Sequence, residues 1–347
     1  MIADSFTLAR YHIPLEAPLP VGKQRIELRQ GLVLKACVGD QQHYVEIAPL
    51  SGLDRDGSPI NGFSHELLDD VITEAQLLLQ SVIEGGHDLI AASNLTQLPS
   101  LAWGLSLLNA KIAGQLPVHH PQFEPIPLLV PREGEPITLT KQRISNLPTH
   151  IRRVKIKVAQ TSMAEELALI YAVLELRPEL KLRLDANQGF EQPQAESFCA
   201  CLPKAAIEYF EEPCRIWQNN RALFASTGIP FALDETLAKT ADFKVAEDAF
   251  EHGLRALVIK PMLLGTLQRL QQLVDEANAL GIRSVLSSSL EASLGIRDLC
   301  RVAALLTPDE TPGADTLSPF SKDLIVGDQH KTCLQFEALT PVFSVGK

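Results

Sequence analysis

The amino-acid sequence predicts an α/β protein: a (β/α) barrel of the TIM type with a separate N-terminal α+β unit. Three observations predict it. Short apolar stretches end in a charged or hydroxyl residue at Lys157, Asp185, Glu211, Asp234, Lys260 and Ser287, with successive ends 23 to 28 residues apart. Each step has room for one strand and one helix, and a (β/α) barrel gathers such strand ends at the mouth where its active site lies. Ahead of them, residues 1–113 read as a strand, a hairpin and helices without that repeat, which marks a distinct unit.

The elements follow in order. Residues 5–14 read as a first strand, and 26–38 with 43–48 as a hairpin around Gly39-Asp40. Residues 50–63, rich in Gly, Asp, Pro and Ser, are expected to form a loop. Ser64 is a candidate N-cap for a helix over 65–83, stopped by Gly85-Gly86, and a second helix is expected over 100–112. The proline-rich stretch 114–136 holds the domain junction, with Ile126–Val130 as the first barrel strand. The predicted domains are therefore 1–113, 114–318 and a C-terminal segment, 319–347, that packs back on the N-terminal domain.

In the strand Val154–Val158, side chains alternate faces, so Val154, Ile156 and Val158 share one face and Lys155 and Lys157 the other. Two ammonium groups on a covered face need counter-charges or a task. Ser162-Met163-Ala164-Glu165 is a capping box opening a helix over 163–176. Further helices are expected over 191–202, 216–226, 241–252, 265–280 and 294–306, and an eighth strand over Gly313–Leu317.

Three carboxylates at consecutive strand ends, Asp185, Glu211 and Asp234, are hard oxygen donors suited to Mg²⁺. A metal that holds a substrate carboxylate acidifies the neighbouring C–H, and a lysine next to another cation is a fitting base. Lys157 and Lys260 are the candidate proton-transfer groups, and Lys155 the like-charged neighbour of Lys157.

The chain of 347 residues is 46% hydrophobic with a formal net charge of −11, enough for one large barrel and a smaller domain. No basic run points to nucleic acid, and no apolar run reaches the ~18 residues of a membrane span. The N-terminus lacks a basic, apolar leader, so a cytoplasmic location is expected. Six cysteines without a C-x-x-C pair are expected to be reduced. His119-His120 reads as loop rather than a metal site. There is no phosphate-cradling glycine motif, nucleophile elbow or H-E-x-x-H.

Lys155-Ile156-Lys157, Asp185-Ala186-Asn187, Glu211-Glu212-Pro213, Asp234-Glu235 and Ile259-Lys260-Pro261 resemble the enolase superfamily, in the branch that includes muconate lactonising enzymes. Pro99–Gly104, Arg183–Asn187, Ser287–Gly295 and Gly313–Leu317 look, more narrowly, like the o-succinylbenzoate synthase family. The resemblance spans nearly the whole chain. It implies a modified (β/α)7β barrel with an N-terminal α+β capping domain. It also implies Mg²⁺ (with Mn²⁺ as a substitute) on Asp185, Glu211 and Asp234. The implied reaction is syn dehydration of 2-succinyl-6-hydroxy-2,4-cyclohexadiene-1-carboxylate through an enediolate. Lys157 would be the base, Lys260 the charge stabiliser on the opposite face, and Lys155 the tuner of Lys157. Arg183, Asn187, Ser287 and Gly313 would bind substrate or support those that do. Leu53–Asn61 looks like an insertion relative to the family. Related activities share the lysines and acids: racemisation of N-succinylamino acids and dipeptide epimerisation, the latter disfavoured by Gly313-Ala314-Asp315. A non-catalytic anion-binding barrel would not need the full set. A small anionic substrate is the expected partner, and the oligomeric state is open.

Overall fold

The computed structural model describes residues 3–21, 24–50, 64–119, 123–132, 134–240, 243–327 and 331–347. The expected loop beyond Leu50, with the insertion at Leu53–Asn61, lies outside the described residues, as does His120. The strands are β1 (Ser5–Val21), β2 (Gln24–Val38), β3 (Gln41–Ile47), β4 (Leu128–Leu129), β5 (Arg153–Lys157), β6 (Lys181–Asp185), β7 (Ile207–Glu211), β8 (Phe231–Leu233), β9 (Leu254–Ile259), β10 (Arg283–Leu286), β11 (Asp323–Leu324), β12 (Cys333–Leu334) and β13 (Thr340–Gly346). The helices are α1 (Leu68–Ile83), α2 (Leu89–Leu95), α3 (Pro99–Ile112), α4 (Ile137–Ser145), α5 (Met163–Leu176), α6 (Gln192–Ala200), α7 (Asn219–Thr227), α8 (Glu235–Lys239), α9 (Pro261–Leu264), α10 (Leu267–Ala279) and α11 (Ser293–Leu306). The chain divides into two compact units, one of residues 1–122, 259–274 and 286–347, the other of 123–258 and 275–285.

The first unit carries a four-stranded sheet in the order β13-β1-β2-β3. The hairpin between β2 and β3 turns at Gly39, whose φ of 57° suits glycine. The C-terminal strand β13 pairs antiparallel with β1. The first helix begins at Leu68, and Ser64 does not cap it. Ser64 instead donates its hydroxyl to Glu66 (2.9 Å), and Glu66 accepts the backbone N–H and the hydroxyl of Ser100 (both 2.9 Å) in the first turn of α3. The competing side-chain partner explains why that cap prediction failed. The helix α2, capped by Asp88, was not anticipated.

Strands β4 to β10 form a seven-stranded sheet in sequence order, with β4 through β9 paired parallel. In the second unit Val154, Ile156 and Val158 pack in one apolar core with Leu182, Leu184, Phe210 and the inner faces of α5 and α6. The opposite face carries Tyr209, Ala232, Ala256 and Val258 as a small apolar cluster. On that face the residue two positions further on is Glu211, Asp234 and Lys260 on β7, β8 and β9, so alternation alone brings each polar group to its strand end. The capping box Ser162/Glu165 opens α5 as expected.

Two expectations are corrected. The helix over 241–252 does not form: the described residues from Phe243 run without helix into turns up to Gly253. A shorter helix, α8, starts directly after Asp234 because the Glu212 carboxylate accepts the Asp234 and Thr236 amides at its first turn. The eighth strand is reduced to a single parallel bridge between Gly313 and Ser287, with no strand over residues 314–317.

Candidate active site

The second unit gathers five of the expected residues at the C-terminal ends of neighbouring strands. Register pairs Lys157 with Asp185 and Asp185 with Glu211. Asp185, Glu211 and Asp234 are all buried. The Lys155 ammonium sits between two of them, 2.9 Å from Asp185 Oδ2 and 2.8 Å from Glu211 Oε1. Burial opposes its charge, but the carboxylates of Asp185, Glu211 and Asp234 outweigh burial and hold Lys155 well above the ordinary lysine range. Both contacts seat Lys155 as an ammonium between the two carboxylates.

Lys157 is held differently. Its side chain is 29% exposed, lies 3.3 Å from Asp185 Oδ2, and donates to Asn187 Oδ1. Asn187 is aimed by its own partners: its Nδ2 donates to Glu235 Oε1 (2.7 Å) and its backbone N–H to Asp185 Oδ1 (3.1 Å). Asn187, Gln188 and Glu212 all adopt positive φ (45°, 62° and 41°), so the chain turns sharply just beyond Asp185 and Glu211.

Burial works against ionising Asp185, yet Lys155 and Lys157 hold its carboxyl well below the usual range. Burial, with the Asp185 carboxylate next to it, pushes Glu211 up to about 8 despite Lys155. Three buried carboxyl groups at neighbouring strand ends offer only hard oxygen donors, which fits a divalent cation of the Mg²⁺ type. Among the described residues no group of three His, Cys, Asp or Glu side chains converges into a closed metal cage. The Lys155 ammonium is seated between Asp185 and Glu211.

Glu212, which the sequence reading passed over as the second acid of its pair, is fully buried. It accepts the Asp234 amide (2.9 Å), the Thr236 amide (2.8 Å), the Thr236 hydroxyl (3.0 Å) and Gln188 Nε2 (3.1 Å). One carboxylate thereby ties the turn after β6 to the turn that carries Asp234. Only its proximity to Glu211 hinted at this in the sequence.

Arg183 is 3% exposed, and its guanidinium bonds to Glu208 Oε2 at 2.5 Å while lying 5.0 Å over the Tyr209 ring. That arrangement fits support from below rather than substrate contact. Glu208 also takes Arg283 (2.7 Å) and Arg153 (3.1 Å). It reaches Arg183 through an irregularity in the β6/β7 register, where Leu182 pairs with Ile207 and Arg183 with Tyr209.

The remaining candidates lie in the first unit. Lys260 directly follows β9 and begins α9. Ser287 directly follows β10, its amide donates to Ile259 O (2.8 Å), and a Cβ on Gly313 would come within 2.6 Å of its Oγ. Gly313 is needed there for close approach.

Comparison with known proteins adds to this geometry. Residues 141–331 match the family described as enolase C-terminal domain-like, and residues 3–112 the family described as MenC, N-terminal domain. The o-succinylbenzoate synthase of Citrobacter koseri is 36% identical over 312 residues, covering 89% of both chains. That of Yersinia pseudotuberculosis is 37% identical over 314 residues, 90% of both chains. Among solved structures, o-succinylbenzoate synthase from Thermosynechococcus elongatus, complexed with Mg in its active site, is 25% identical with a TM-score of 0.71, covering 89% of this chain and 92% of that one. The L-Ala-D/L-Glu epimerase of Bacillus subtilis shares the fold at 19% identity and a TM-score of 0.72, covering 93% of this chain and 92% of that one. No helix among the described residues is long and apolar enough to cross a membrane.

Proposed function

The chain belongs to the enolase superfamily, among the o-succinylbenzoate synthases, and on that premise we propose that Asp185, Glu211 and Asp234 hold Mg²⁺ while Lys157 moves the proton of the reaction. The substrate is the small dianion 2-succinyl-6-hydroxy-2,4-cyclohexadiene-1-carboxylate, and the products are o-succinylbenzoate and water, a step of menaquinone biosynthesis. Held by those three residues, Mg²⁺ would supply Lewis-acid stabilisation of the negative charge that builds on a substrate carboxylate. Mn²⁺, also hard and octahedral, would substitute.

The observation that carries this reading is the different treatment of two lysines on one strand face. Lys155 is locked between Asp185 and Glu211 as a permanent cation. Lys157 is half-buried and aimed by Asn187, so its Nζ remains near the strand end. In its neutral form Lys157 takes the proton alpha to the ring carboxylate as the C–H bond breaks. The same proton then goes from Nζ to the leaving hydroxyl on that face as the C–O bond breaks, releasing water and restoring the neutral amine. Lys155 lies two residues from Lys157 on the same strand face, fixed between Asp185 and Glu211. Lys260 supplies a second ammonium for the developing charge, and Ser287 and Gly313 are the substrate-binding candidates.

Replacing Lys157 with Ala tests the assignment. Turnover is expected to fall by about 10³-fold or more, in keeping with loss of a general base, while calorimetric Mg²⁺ binding persists. Turnover at the wild-type rate would remove Lys157 as the base. The presence of Lys260 as a second amine favours one further reading, racemisation of N-succinylamino acids or epimerisation of dipeptides. Alpha-proton exchange of those compounds in D₂O separates it from dehydration.

A further inference from the structure

The stretch Ser287–Gly295 stood out in the sequence, and the proposed reading uses only Ser287. The rest of it is held by two buried charged residues of the N-terminal strands, all within one compact unit. Arg29, on β2, is 1% exposed. Its Nε donates to Leu290 O at 2.8 Å, Nη2 to Ala48 O at 2.6 Å, and Nη1 to Gln30 O at 2.7 Å and Pro49 O at 3.1 Å. Glu46, on β3, is also 1% exposed. It accepts the Tyr11 hydroxyl at 2.6 Å and the backbone amides of Ala292 and Gly295, both at 2.9 Å.

Those two amides open α11. Its N-cap, Ala292, has no side chain able to cap, so the orphan N–H groups of the first turn take a carboxylate from another element. Gly295 is required by that approach: a Cβ there would meet Glu46 Oε2 at 2.9 Å and Glu291 Cβ at 2.7 Å. Leu290 has φ 64°, a conformation an L side chain adopts only when its surroundings impose it. Ser288 Oγ accepts its amide at 2.8 Å and Arg29 binds its carbonyl. Ser288 is itself tied down, its hydroxyl 3.0 Å from Thr316 Oγ1 and its amide on Gly313 O at 2.9 Å. A buried guanidinium that spends four donor contacts on main-chain carbonyls is expensive where apolar packing would serve for stability. One of the four carbonyls, that of Leu290, belongs to the loop, and the other three, of Gln30, Ala48 and Pro49, hold the guanidinium in place to reach it.

We propose that Arg29 and Glu46 are positioning residues of the reaction: together they clamp Ser287–Gly295 in the conformation that presents Ser287 beside Gly313 to the substrate. The catalytic half of this statement rests on the proposed dehydration, and the clamp itself does not.

The experiment therefore has two arms, run on wild type, Glu46→Gln and Arg29→Lys, each as the full-length enzyme. Amide hydrogen exchange reads the clamp: in both variants peptides covering 287–295 should exchange about tenfold faster or more, while those covering 181–188 stay unchanged. Steady-state kinetics read the role: KM should rise about tenfold with Mg²⁺ affinity within about twofold of wild type, and Arg29→Lys, which loses the planar fork, should be the worse of the two. Unchanged exchange over 287–295 overturns the clamp. Faster exchange with KM and kcat both at wild-type values leaves a purely structural contact and overturns the positioning role. Wild-type enzyme that does not turn over the hydroxy-cyclohexadiene carboxylate refutes the dehydration reading, and the exchange arm still decides the clamp. Should Glu46→Gln fail to fold, Tyr11→Phe, which removes one donor from Glu46, is read in the same two arms.

Discussion

Glu208→Gln puts a number on the ion-pair cluster beneath the acids. The wild-type carboxylate is 12% exposed and receives Arg183, Arg283 and Arg153. Burial works against its charge, but Arg183, with Arg283, outweighs burial and holds the carboxyl down at about 2. Against an ordinary value of 4.5, that depression corresponds to at most about 3 kcal/mol of stability, less after solvent screening. A second route gives a similar figure: Arg183, 3% exposed, would be left as a buried cation with a weaker neutral partner, a loss of about 3 kcal/mol. Arg153, about half exposed, contributes little. The sign follows from the depressed value. The contribution is fully present above the unfolded carboxyl value and is lost as pH falls from about 4.5 through about 2. Urea unfolding followed by tryptophan fluorescence measures this, since Trp217 belongs to the second unit. The variant should lose about 2–3 kcal/mol at pH 7 and the same at pH 5. A loss below about 1 kcal/mol, or one that halves between pH 8 and pH 5, would refute the reasoning.

Glu46 has the opposite sign. Burial pushes its carboxyl up to about 7, so its contribution is full below about 4.5 and is lost as pH rises through about 7, by about 3 kcal/mol in all. Glu46→Gln should flatten the stability profile between pH 5 and pH 8; two parallel profiles would contradict it. Glu212→Gln leaves one acceptor oxygen for four donors, which costs about 2–3 kcal/mol of folding stability and should weaken Mg²⁺ binding about tenfold by loosening the Asp234 turn. An unaltered calorimetric Mg²⁺ titration would show that Asp234 does not depend on it.

The strand-end residues were legible because each sits on an apolar strand at period two and recurs at one strand-plus-helix step. That logic placed Lys155, Lys157, Asp185, Glu211 and Asp234 at neighbouring strand ends, since alternation and spacing are local properties. What it missed depends on contacts distant in sequence. Strict alternation puts Glu208 on the face opposite Tyr209, and only the register irregularity lets it meet Arg183. Glu66 and Glu46 cap helices from other elements, so neither Ser100 nor Ala292 is preceded by a recognisable cap. The helix expected over 241–252 had suitable apolar spacing, but Glu212 nucleates α8 earlier and the chain reaches β9 through turns. Arg183 shares a face with Asp185, as alternation requires, but the sequence left open whether it meets substrate or supports its neighbours, and its Glu208 partner lies on another strand.

The proposed reaction is a metal-assisted elimination with Lys157 as base beside three strand-end acids. The most direct measurement is conversion of 2-succinyl-6-hydroxy-2,4-cyclohexadiene-1-carboxylate to o-succinylbenzoate, followed first with Mg²⁺ and then after EDTA. Rapid conversion with Mg²⁺, loss of it in EDTA, and recovery when Mg²⁺ is restored are expected. Conversion that persists at full rate in EDTA, or none at all with Mg²⁺ demonstrably bound, would contradict the metal-assisted elimination.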